Sequence, residues 1–295
     1  MESTVPKVAL VAPVFNRRET TLQALRSISR IDTSGLEIKV FIVDDGSTDG
    51  TAEAISSEFP DVELIIGDGS LHYAAGTNRG IEGALKWGAE WVVTMNDDAV
   101  FHELFLQRLL QTARENEGSV VGALLLLWDQ PHKVFQVAPK WSNLGGGWNF
   151  PDDLTAFSVP QLPFEVECIV GNCVLFPTEA IREVGLLDEK RFPFGWGDAQ
   201  YLARMKKAGW RLIVDPKALV WCEPNSYPVP LHSLTKHQIL NVLFFDKRHP
   251  LNLNRQWLAR WHSAPSRFAG VASFVFYVFS LARKAIAIKT IARSN

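Results

Sequence analysis

Apolar runs alternate with stretches of helical periodicity through the first two thirds of the chain. Between these runs, leucine, isoleucine and alanine recur every three or four residues, which predicts helices. Strands that alternate with helices predict an α/β fold with a doubly wound sheet. Almost continuously apolar runs suit strands that are covered on both faces. Five such runs lie at residues 7–15, 37–43, 62–66, 91–95 and 119–128. Helices are predicted between them, at 18–30, 51–59, about 81–88 and 103–114.

The pattern becomes less regular after residue 128. Residues 129–165 contain glycines, prolines and tryptophans without clear periodicity, which predicts long loops of the kind that often carry specificity. Regular patterning then returns with an apolar run, two helices and two short strands. These are predicted at 166–176, from Pro177 to about 184, directly after Asp198, and at 211–214 and 218–221.

The fourth apolar run ends in Asn96, Asp97 and Asp98. Adjacent carboxylates at the end of a buried strand repel each other unless a cation or a set of donors lies between them. Mg²⁺ or Mn²⁺ would satisfy them, because these cations take carboxylate and phosphate oxygens as ligands. Ligands of open α/β sheets bind at the carboxyl ends of strands. We therefore expect a metal–diphosphate site at Asp98; the alternative is a simple turn, which these residues also favour.

Two further acidic positions have similar alternatives. Asp44 and Asp45 follow the second strand, where a carboxylate could accept hydrogen bonds from a nucleobase or a ribose; a loop with a helix cap explains Asp49 better than this pair. Asp198 precedes a helix and is either its N-cap or a general base at the rim of a cleft.

Charge is distributed unevenly along the chain. Its net charge is −2, which argues against a nucleic-acid partner, but ten basic residues and one acidic residue follow Glu223. Residues 268–282 are uncharged and apolar, with Arg267 and Arg283 on either side. Fifteen residues are short for a membrane span, which needs about 20. This pattern is typical of a helix in the membrane interface, which we place at 268–288; the alternative is a helix packed on the core or on a second copy in a homo-oligomer.

The remaining composition suggests a compartment. Three cysteines without a Cys-x-x-Cys motif argue against a disulfide framework and against a zinc site. The first residues have no basic segment followed by a long apolar one, so we expect no signal peptide. We therefore expect a cytoplasmic protein, peripheral on the inner face of the cell membrane through residues 224–295.

Five motifs in consistent order resemble the family 2 glycosyltransferases of the GT-A fold, a Rossmann-like mixed sheet flanked by helices. The resemblance covers about residues 5–223, so it implies a catalytic domain over 1–223 and a C-terminal helical appendage over 224–295. The motifs are Ala12-Pro13-Val14-Phe15-Asn16, Val43-Asp44-Asp45-Gly46-Ser47-Thr48-Asp49, Gly76-Thr77-Asn78-Arg79-Gly80, Met95-Asn96-Asp97-Asp98 and the block at 187–222.

The resemblance implies an inverting, metal-assisted transfer of a sugar from a nucleoside-diphosphate-sugar to a glycan or lipid-linked acceptor. Asp98 would hold Mg²⁺ or Mn²⁺, and Asp198 would be the catalytic base. The nucleotide-sugar would contact Pro13, Phe15, Asp44, Asp45, Asn78 and Asp97.

Three positions depart from the family pattern: Gly197 replaces a glutamate, Gln200 replaces an acid, and Cys222 replaces a histidine that is sometimes a metal ligand. Two alternative functions therefore remain open. A sugar nucleotidyltransferase would share the nucleotide site, although the loop at 15–18 lacks its glycines. A membrane-associated scaffold with a decayed transferase fold would explain the three replacements, but not the intact Asp98 and Asp198.

Overall fold

The computed structural model describes residues 5–224 and 233–294 of the chain. The chain divides into two compact units, of which the first comprises Met1–Pro139 and Phe150–Pro224, and the second comprises Lys140–Asn149 and Asn225–Asn295. The elements in chain order are β1 (Lys7–Val14), α1 (Arg18–Ile28), β2 (Glu37–Asp44), α2 (Thr51–Glu58), β3 (Glu63–Ile66), α3 (His72–Trp87), β4 (Trp91–Met95), β5 (Ala99–Phe101), α4 (Phe105–Glu115), β6 (Ser119–Leu127), β7 (Val134–Gln136), β8 (Lys140–Ser142), β9 (Gly147–Asn149), β10 (Phe164–Glu165), β11 (Cys173–Pro177), α5 (Thr178–Val184), α6 (Gly197–Lys207), β12 (Arg211–Cys222), α7 (Lys236–Leu240), α8 (Leu253–Ser263) and α9 (Arg267–Ser294).

A mixed sheet forms the centre of the first unit. Its strand order is β10-β12-β6-β11-β4-β1-β2-β3, with β5 paired to β12 and β7 paired to β6. Strands β3, β2, β1 and β4 are parallel, whereas β11 runs antiparallel between β4 and β6. This order confirms the predicted α/β class. Parallel β1, β2 and β4 bring the residues after Val14, Asp44 and Met95 to the same edge of the sheet.

The structure corrects two predicted strands. Only Cys173–Pro177 of the apolar run at 166–176 is a strand, and the residues before it form a loop at the carboxyl edge of β4. The two short strands predicted at 211–214 and 218–221 are one strand, β12, whose register against β6 shifts between Asp215 and Leu219. A β-bulge of this kind interrupts the alternation of side chains, which explains why the pattern looked like two separate strands.

Helix α3 lies unusually close to β1, because glycines replace side chains at the contact. A Cβ atom on Gly80 would lie 2.3 Å from Cγ1 of Val11, and one on Gly76 would lie 2.8 Å from Cβ of Pro13. The core below this contact is continuously apolar and includes Leu10, Ile42 and Val93. The close approach fixes the first turns of α3 beside the end of β1, at the edge where the candidate site lies.

The second unit combines a short hairpin with C-terminal helices. The hairpin pairs Trp141 with Trp148, and the Trp148 indole donates a hydrogen bond to Ser263 Oγ at 3.1 Å. The guanidinium of Arg260 donates to Gly146 O and lies over the ring of Tyr277; burial lowers its pKa to about 10. The sequence-based division placed residues 140–149 in the sheet domain, but these contacts assign them to the helical unit.

Helix α9 exposes an apolar face to solvent. Small residues, Ala269 and Ser273, lie on its buried face, whereas Phe268, Val275 and Phe279 are 79%, 59% and 60% exposed. A surface helix normally presents polar residues to water, so the exposed face is unusual. Within residues 5–224 and 233–294, no helix is both long enough and apolar enough to cross a bilayer.

Candidate active site at the carboxyl edge of the sheet

The loops that follow β1 and β2 are hydrogen-bonded to each other. Asn16, which has a positive φ of 51°, accepts a hydrogen bond from the backbone N–H of Thr48 through Oδ1 at 2.7 Å. The Asn16 backbone N–H in turn donates to Ser47 Oγ at 2.8 Å. Asparagine tolerates this left-handed conformation better than most residues. The two strand ends are therefore held together as one rigid rim beside Phe15, whose ring is 51% exposed.

The paired acids after β2 have different environments. Asp45 accepts backbone hydrogen bonds from Gly69 and Leu71 on Oδ1, at 2.9 and 3.1 Å, and from His72 on Oδ2, at 2.8 Å. Asp44 accepts from the Ser47 N–H on Oδ1 at 2.8 Å, while its Oδ2 is buried and has no hydrogen-bond partner. Asp45 therefore organises the loop that leads into α3, and Asp44 keeps an unused acceptor at the site.

Three carboxylates surround the guanidinium of Arg17. Nη1 lies 3.1 Å from Asp97 Oδ1 and 3.3 Å from Asp98 Oδ2, and Nη2 lies 2.9 Å from Glu223 Oε2. Glu223 reaches this position because β5 pairs with the end of β12, and its backbone N–H donates to Asp98 O at 3.2 Å. The acidic turn and the last strand of the sheet therefore converge on one cation.

The surroundings of Asp97 and Asp98 can be tested against a metal ion. Burial raises the pKa of Asp97 to about 6; Arg17 opposes this shift and Asp98 adds to it. Asp98 Oδ1 is buried without a hydrogen-bond partner, and carboxylate oxygens suit Mg²⁺ or Mn²⁺. Within residues 5–224 and 233–294, no three side chains of His, Cys, Asp and Glu lie close enough together to hold one metal ion. The donor chemistry fits a hard cation, while the guanidinium of Arg17 takes part of the space between the carboxylates.

Cys222 does not extend this set of oxygen donors. Its side chain is fully buried, and burial raises its thiol pKa to about 12, with Asp98 adding to the shift. Its Sγ accepts a hydrogen bond from Asn172 Nδ2 at 3.8 Å. A protonated thiol is a poor ligand for a hard cation, so the residue that brings a charge to this end of β12 is its neighbour, Glu223.

Asp198 lies in the first turn of α6 and is not its N-cap, because Trp196 holds that position with a φ of 65°. A Cβ atom on Gly171 would lie 2.4 Å from Asp198 Oδ2, so the carboxylate rests against the bare backbone of this glycine. Asp198 also contributes to the raised pKa of Tyr73, for which burial is the larger cause. The helix N-terminus favours the charged form of a carboxylate.

One loop links Asp198 to the acidic turn. Gly171 contacts Asp198, and the next residue, Asn172, accepts a hydrogen bond on its backbone oxygen from the N–H of Asn96 at 3.0 Å. Two consecutive residues therefore connect the candidate base with the candidate metal turn. A displacement of this loop would change the geometry of both groups.

The side chain of Asn78 is directed into the protein. Its Nδ2 donates to Leu187 O at 3.0 Å and to Glu189 Oε2 at 2.7 Å, and its Oδ1 accepts from Leu187 N at 2.9 Å. Arg204 fixes the same loop from α6 by donating to Val184 O at 2.7 Å. These bonds connect α3 with α6, which carries Asp198. The geometry therefore supports a positioning role for Asn78 rather than contact with a nucleotide.

Some residues of the site were not predicted from the sequence, namely Arg17, Glu223, Gly171 and Asn172. Arg17 directly follows the first motif, which ends at Asn16, and this position close to the end of β1 was the one available signal. Glu223 directly follows the last motif block, which ends at Cys222, and the sequence leaves open which of these two residues would join a metal site. Nothing in the local pattern indicates that Gly171 contacts Asp198, because the two residues lie in different elements.

Comparison with known proteins identifies the family. Residues 6–237 match the model of the family described as glycosyltransferase like family 2. An N-acetylglucosaminyl-diphospho-decaprenol L-rhamnosyltransferase of Mycobacterium tuberculosis is 27% identical over 254 residues, which cover 78% of this chain and 79% of that protein. A GalNAc(5)-diNAcBac-PP-undecaprenol beta-1,3-glucosyltransferase of Campylobacter jejuni is 29% identical over 123 residues, 41% of this chain and 39% of that protein.

Solved structures share the fold. A structure of GalNAc-T7 with UDP, GalNAc and Mn²⁺ has a TM-score of 0.61 at 13% identity; the match covers 92% of this chain and 54% of that one. A mannosyltransferase of Pyrobaculum calidifontis, in complex with GDP-Man and Mn²⁺, has a TM-score of 0.53 at 16% identity, over 99% of this chain and 83% of that one. These likenesses confirm the predicted GT-A fold.

The contacts of Asn78 predict the effect of its removal. Asn78→Ala leaves the buried backbone groups of Leu187 without partners, so we expect the free energy of unfolding to fall by about 2 kcal/mol, with nucleotide affinity unchanged in the fraction that remains folded. Denaturant unfolding measures the first quantity and calorimetric titration the second. Asn116→Ala is a matched control, because Asn116 donates only to Thr112 O within its own helix; an unchanged stability with weaker nucleotide binding would contradict the positioning role.

Proposed function

The chain belongs to glycosyltransferase-like family 2, and we propose that it is an inverting, metal-assisted transferase that moves a sugar from a nucleoside-diphosphate-sugar to a hydroxyl group of a lipid-linked glycan. The observation that carries this proposal is the loop at Gly171 and Asn172, which contacts Asp198 on one side and the backbone of Asn96 on the other. Inversion requires the base and the leaving group to lie on opposite sides of the sugar. A short connection between Asp198 and the acidic turn would hold the two groups at a fixed separation.

The rim after β1 and β2 suits a nucleotide. The exposed ring of Phe15 offers a face on which a nucleobase can stack, with Pro13 at the end of the same strand. The unused Oδ2 of Asp44 can accept a hydrogen bond from a base N–H or from a ribose hydroxyl. Asp45 serves the same site indirectly, because its carboxylate holds the backbone at Gly69, Leu71 and His72.

The acidic turn suits the diphosphate. A divalent cation bound there would supply Lewis-acid stabilisation of the negative charge that develops on the departing diphosphate. Asp98 would hold it through its unpartnered Oδ1, with Asp97 at the adjacent position. Nucleotide titrations with Mg²⁺ and with Mn²⁺ distinguish between the two ions.

Asp198 would accept the proton of the acceptor hydroxyl as that oxygen attacks the anomeric carbon. The base must come within hydrogen-bond reach of the hydroxyl, and attack on the face opposite the diphosphate inverts the anomeric centre. Gln200, which replaces an acid of the family pattern, is buried and accepts from Arg204 Nε at 3.3 Å. It therefore helps Arg204 to hold α6 in place, which preserves the position of Asp198.

The relatives suggest the class of acceptor. The rhamnosyltransferase and the glucosyltransferase described above are named for acceptors on decaprenol and undecaprenol diphosphate. We propose an acceptor of the same class, a glycan on a polyprenyl diphosphate, for envelope or surface polysaccharide assembly. Such an acceptor is anchored in a membrane, which gives a reason for the composition of the second unit.

The second unit has a surface suited to an anionic membrane. Phe244 and Phe245 are 56% and 74% exposed, in addition to the exposed apolar face of α9. Arg267 at the start of this helix and Arg283 within it are exposed cations. Apolar side chains enter the boundary between headgroups and acyl chains, while cations bind anionic headgroups. We propose that this unit attaches the protein to the inner face of the cell membrane.

A titration with nucleotides tests the function. We expect one of UDP, dTDP or GDP to bind only with Mn²⁺ or Mg²⁺, Asp98→Ala to lose this metal-dependent binding, and Asp198→Asn to retain it. Asp198→Asn should nevertheless lose transfer by about a hundredfold or more, because the general base is gone. Calorimetry measures binding, and product analysis with a polyprenyl-diphosphate acceptor measures transfer.

Other outcomes of the calorimetry and of the product analysis would identify the alternative functions. Release of pyrophosphate instead of a nucleoside diphosphate would indicate a nucleotidyltransferase. No binding of any of the three nucleotides would indicate the non-catalytic scaffold. Wild-type turnover in Asp198→Asn would remove Asp198 from the role of base.

The contact between Gly171 and Asp198 makes a separate prediction. Gly171→Ala should slow transfer about tenfold or more, because the new methyl group displaces the Asp198 carboxylate and small displacements of a reacting group are costly. Nucleotide affinity should stay unchanged. The control is the double variant Gly171→Ala/Asp198→Asn, which should be no slower than Asp198→Asn alone. Independent effects of the two substitutions would show that Gly171 does not act through Asp198.

Vesicle sedimentation tests the membrane surface. Replacement of Phe268, Val275 and Phe279 by serine should reduce binding to vesicles of phosphatidylglycerol and phosphatidylethanolamine at least about tenfold, because three apolar side chains lose their burial in lipid. Phe157→Ser is the matched control, since Phe157 is a 77% exposed phenylalanine of the first unit. If the intact protein stays in the supernatant at low salt, the proposed attachment is wrong.

A further inference from the structure

Arg17 has an arrangement that the proposed chemistry leaves unexplained. Its guanidinium contacts Asp97, Asp98 and Glu223 at distances between 2.9 and 3.3 Å. A guanidinium group stays protonated in proteins, and three carboxylates lie within 3.3 Å of this one. The side chain therefore carries a firm positive charge at the position where the proposed function requires a divalent cation to approach.

Arg17 and a divalent cation would disfavour each other at this position. The guanidinium contacts one oxygen of Asp98 at 3.3 Å, and a metal on the other oxygen of the same carboxylate would lie only a few ångströms from it. Like charges at this separation repel strongly in a partly buried site. Binding of the metal alone therefore weakens while Arg17 remains among the carboxylates.

A diphosphate would change this balance. A diphosphate bound beside Asp98 would offer Arg17 an alternative partner, because arginine binds phosphate and carboxylate with the same planar set of donors. The Arg17 side chain is 37% exposed, and its backbone precedes the first turn of α1. The guanidinium can therefore change partners by rotation of its side chain, without movement of the helix.

We propose that Arg17 is a positioning residue that couples the metal to the donor: it neutralises Asp97, Asp98 and Glu223 in the donor-free protein, and moves its guanidinium to the diphosphate when metal and nucleotide bind together. This inference rests on the proposed function for the identity of the diphosphate. It makes metal and nucleotide binding mutually dependent, and each ligand binds more tightly in the presence of the other.

Calorimetry with Mn²⁺ alone, and with UDP, dTDP and GDP in saturating Mn²⁺, tests the coupling. Arg17→Ala should bind Mn²⁺ alone about tenfold more tightly than wild type, because a competing charge is gone, and should bind the preferred nucleotide about tenfold more weakly, because the diphosphate has lost a partner. Arg17→Lys keeps the charge and should keep weak Mn²⁺ binding. Arg18→Ala is the matched control, since Arg18 pairs with Glu19 away from the acidic turn.

Opposite changes in the two affinities distinguish coupling from a structural role, which would weaken both or neither. If Arg17→Ala binds Mn²⁺ with unchanged or lower affinity, or if neither it nor wild type binds Mn²⁺, the inference is overturned. If Arg17→Ala does not fold, Arg17→Lys still tests the role of the charge, because it should bind Mn²⁺ alone as weakly as wild type does. Failure of the proposed function has a different signature, because wild type would then bind none of the three nucleotides while the Mn²⁺ titration still reports on Arg17.

Discussion

The structure depends on the neutralisation of acids at the carboxyl edge of one sheet. Parallel pairing of β1, β2 and β4 brings Asp44, Asp45, Asp97 and Asp98 to the same rim, and three of the four are buried. Buried carboxylates are costly unless each finds a donor or a cation. Asp45 finds three backbone N–H groups, and Asp97 and Asp98 find Arg17. The unpartnered oxygens of Asp44 and Asp98 remain, and a ligand with its own donors or cation would complete the set.

Hydrogen bonds between elements also hold the loops at this edge of the sheet. Each loop at this rim is held by a side chain from another element, for example Asn16 on the loop after β2 and Asn78 on the loop before α6. Loops positioned by a rigid scaffold can place reacting groups accurately. The loop at 171–172 then connects Asp198 to the acidic turn, through a close contact at Gly171 and a hydrogen bond at Asn172.

The sequence predicted the order of strands and helices because buried strands and amphipathic helices leave strong patterns. It also singled out Asp98 and Asp198 as candidate site residues, since both lie in motifs at the ends of elements; their roles stay predictions. The partners of these residues were not predictable, because the pairs are far apart in the chain: Arg17 is 80 residues from Asp97 and 206 residues from Glu223. The grouping of residues 140–149 with the second unit was not predictable for the same reason, since their contacts with α8 and α9 leave no local pattern.

The two units differ in surface chemistry, and the proposed function gives a reason for this difference. The first unit presents acids at its candidate site, whereas the second presents exposed phenylalanines and cations. An acceptor on a polyprenyl diphosphate is confined to the membrane, so attachment to the same surface raises its effective concentration without any new contact at the active site. The acidic rim cannot provide this attachment, because an anionic membrane repels it. In the proposed function, a separate basic and apolar unit would let the chain combine a site for a metal and a diphosphate with attachment to the membrane surface.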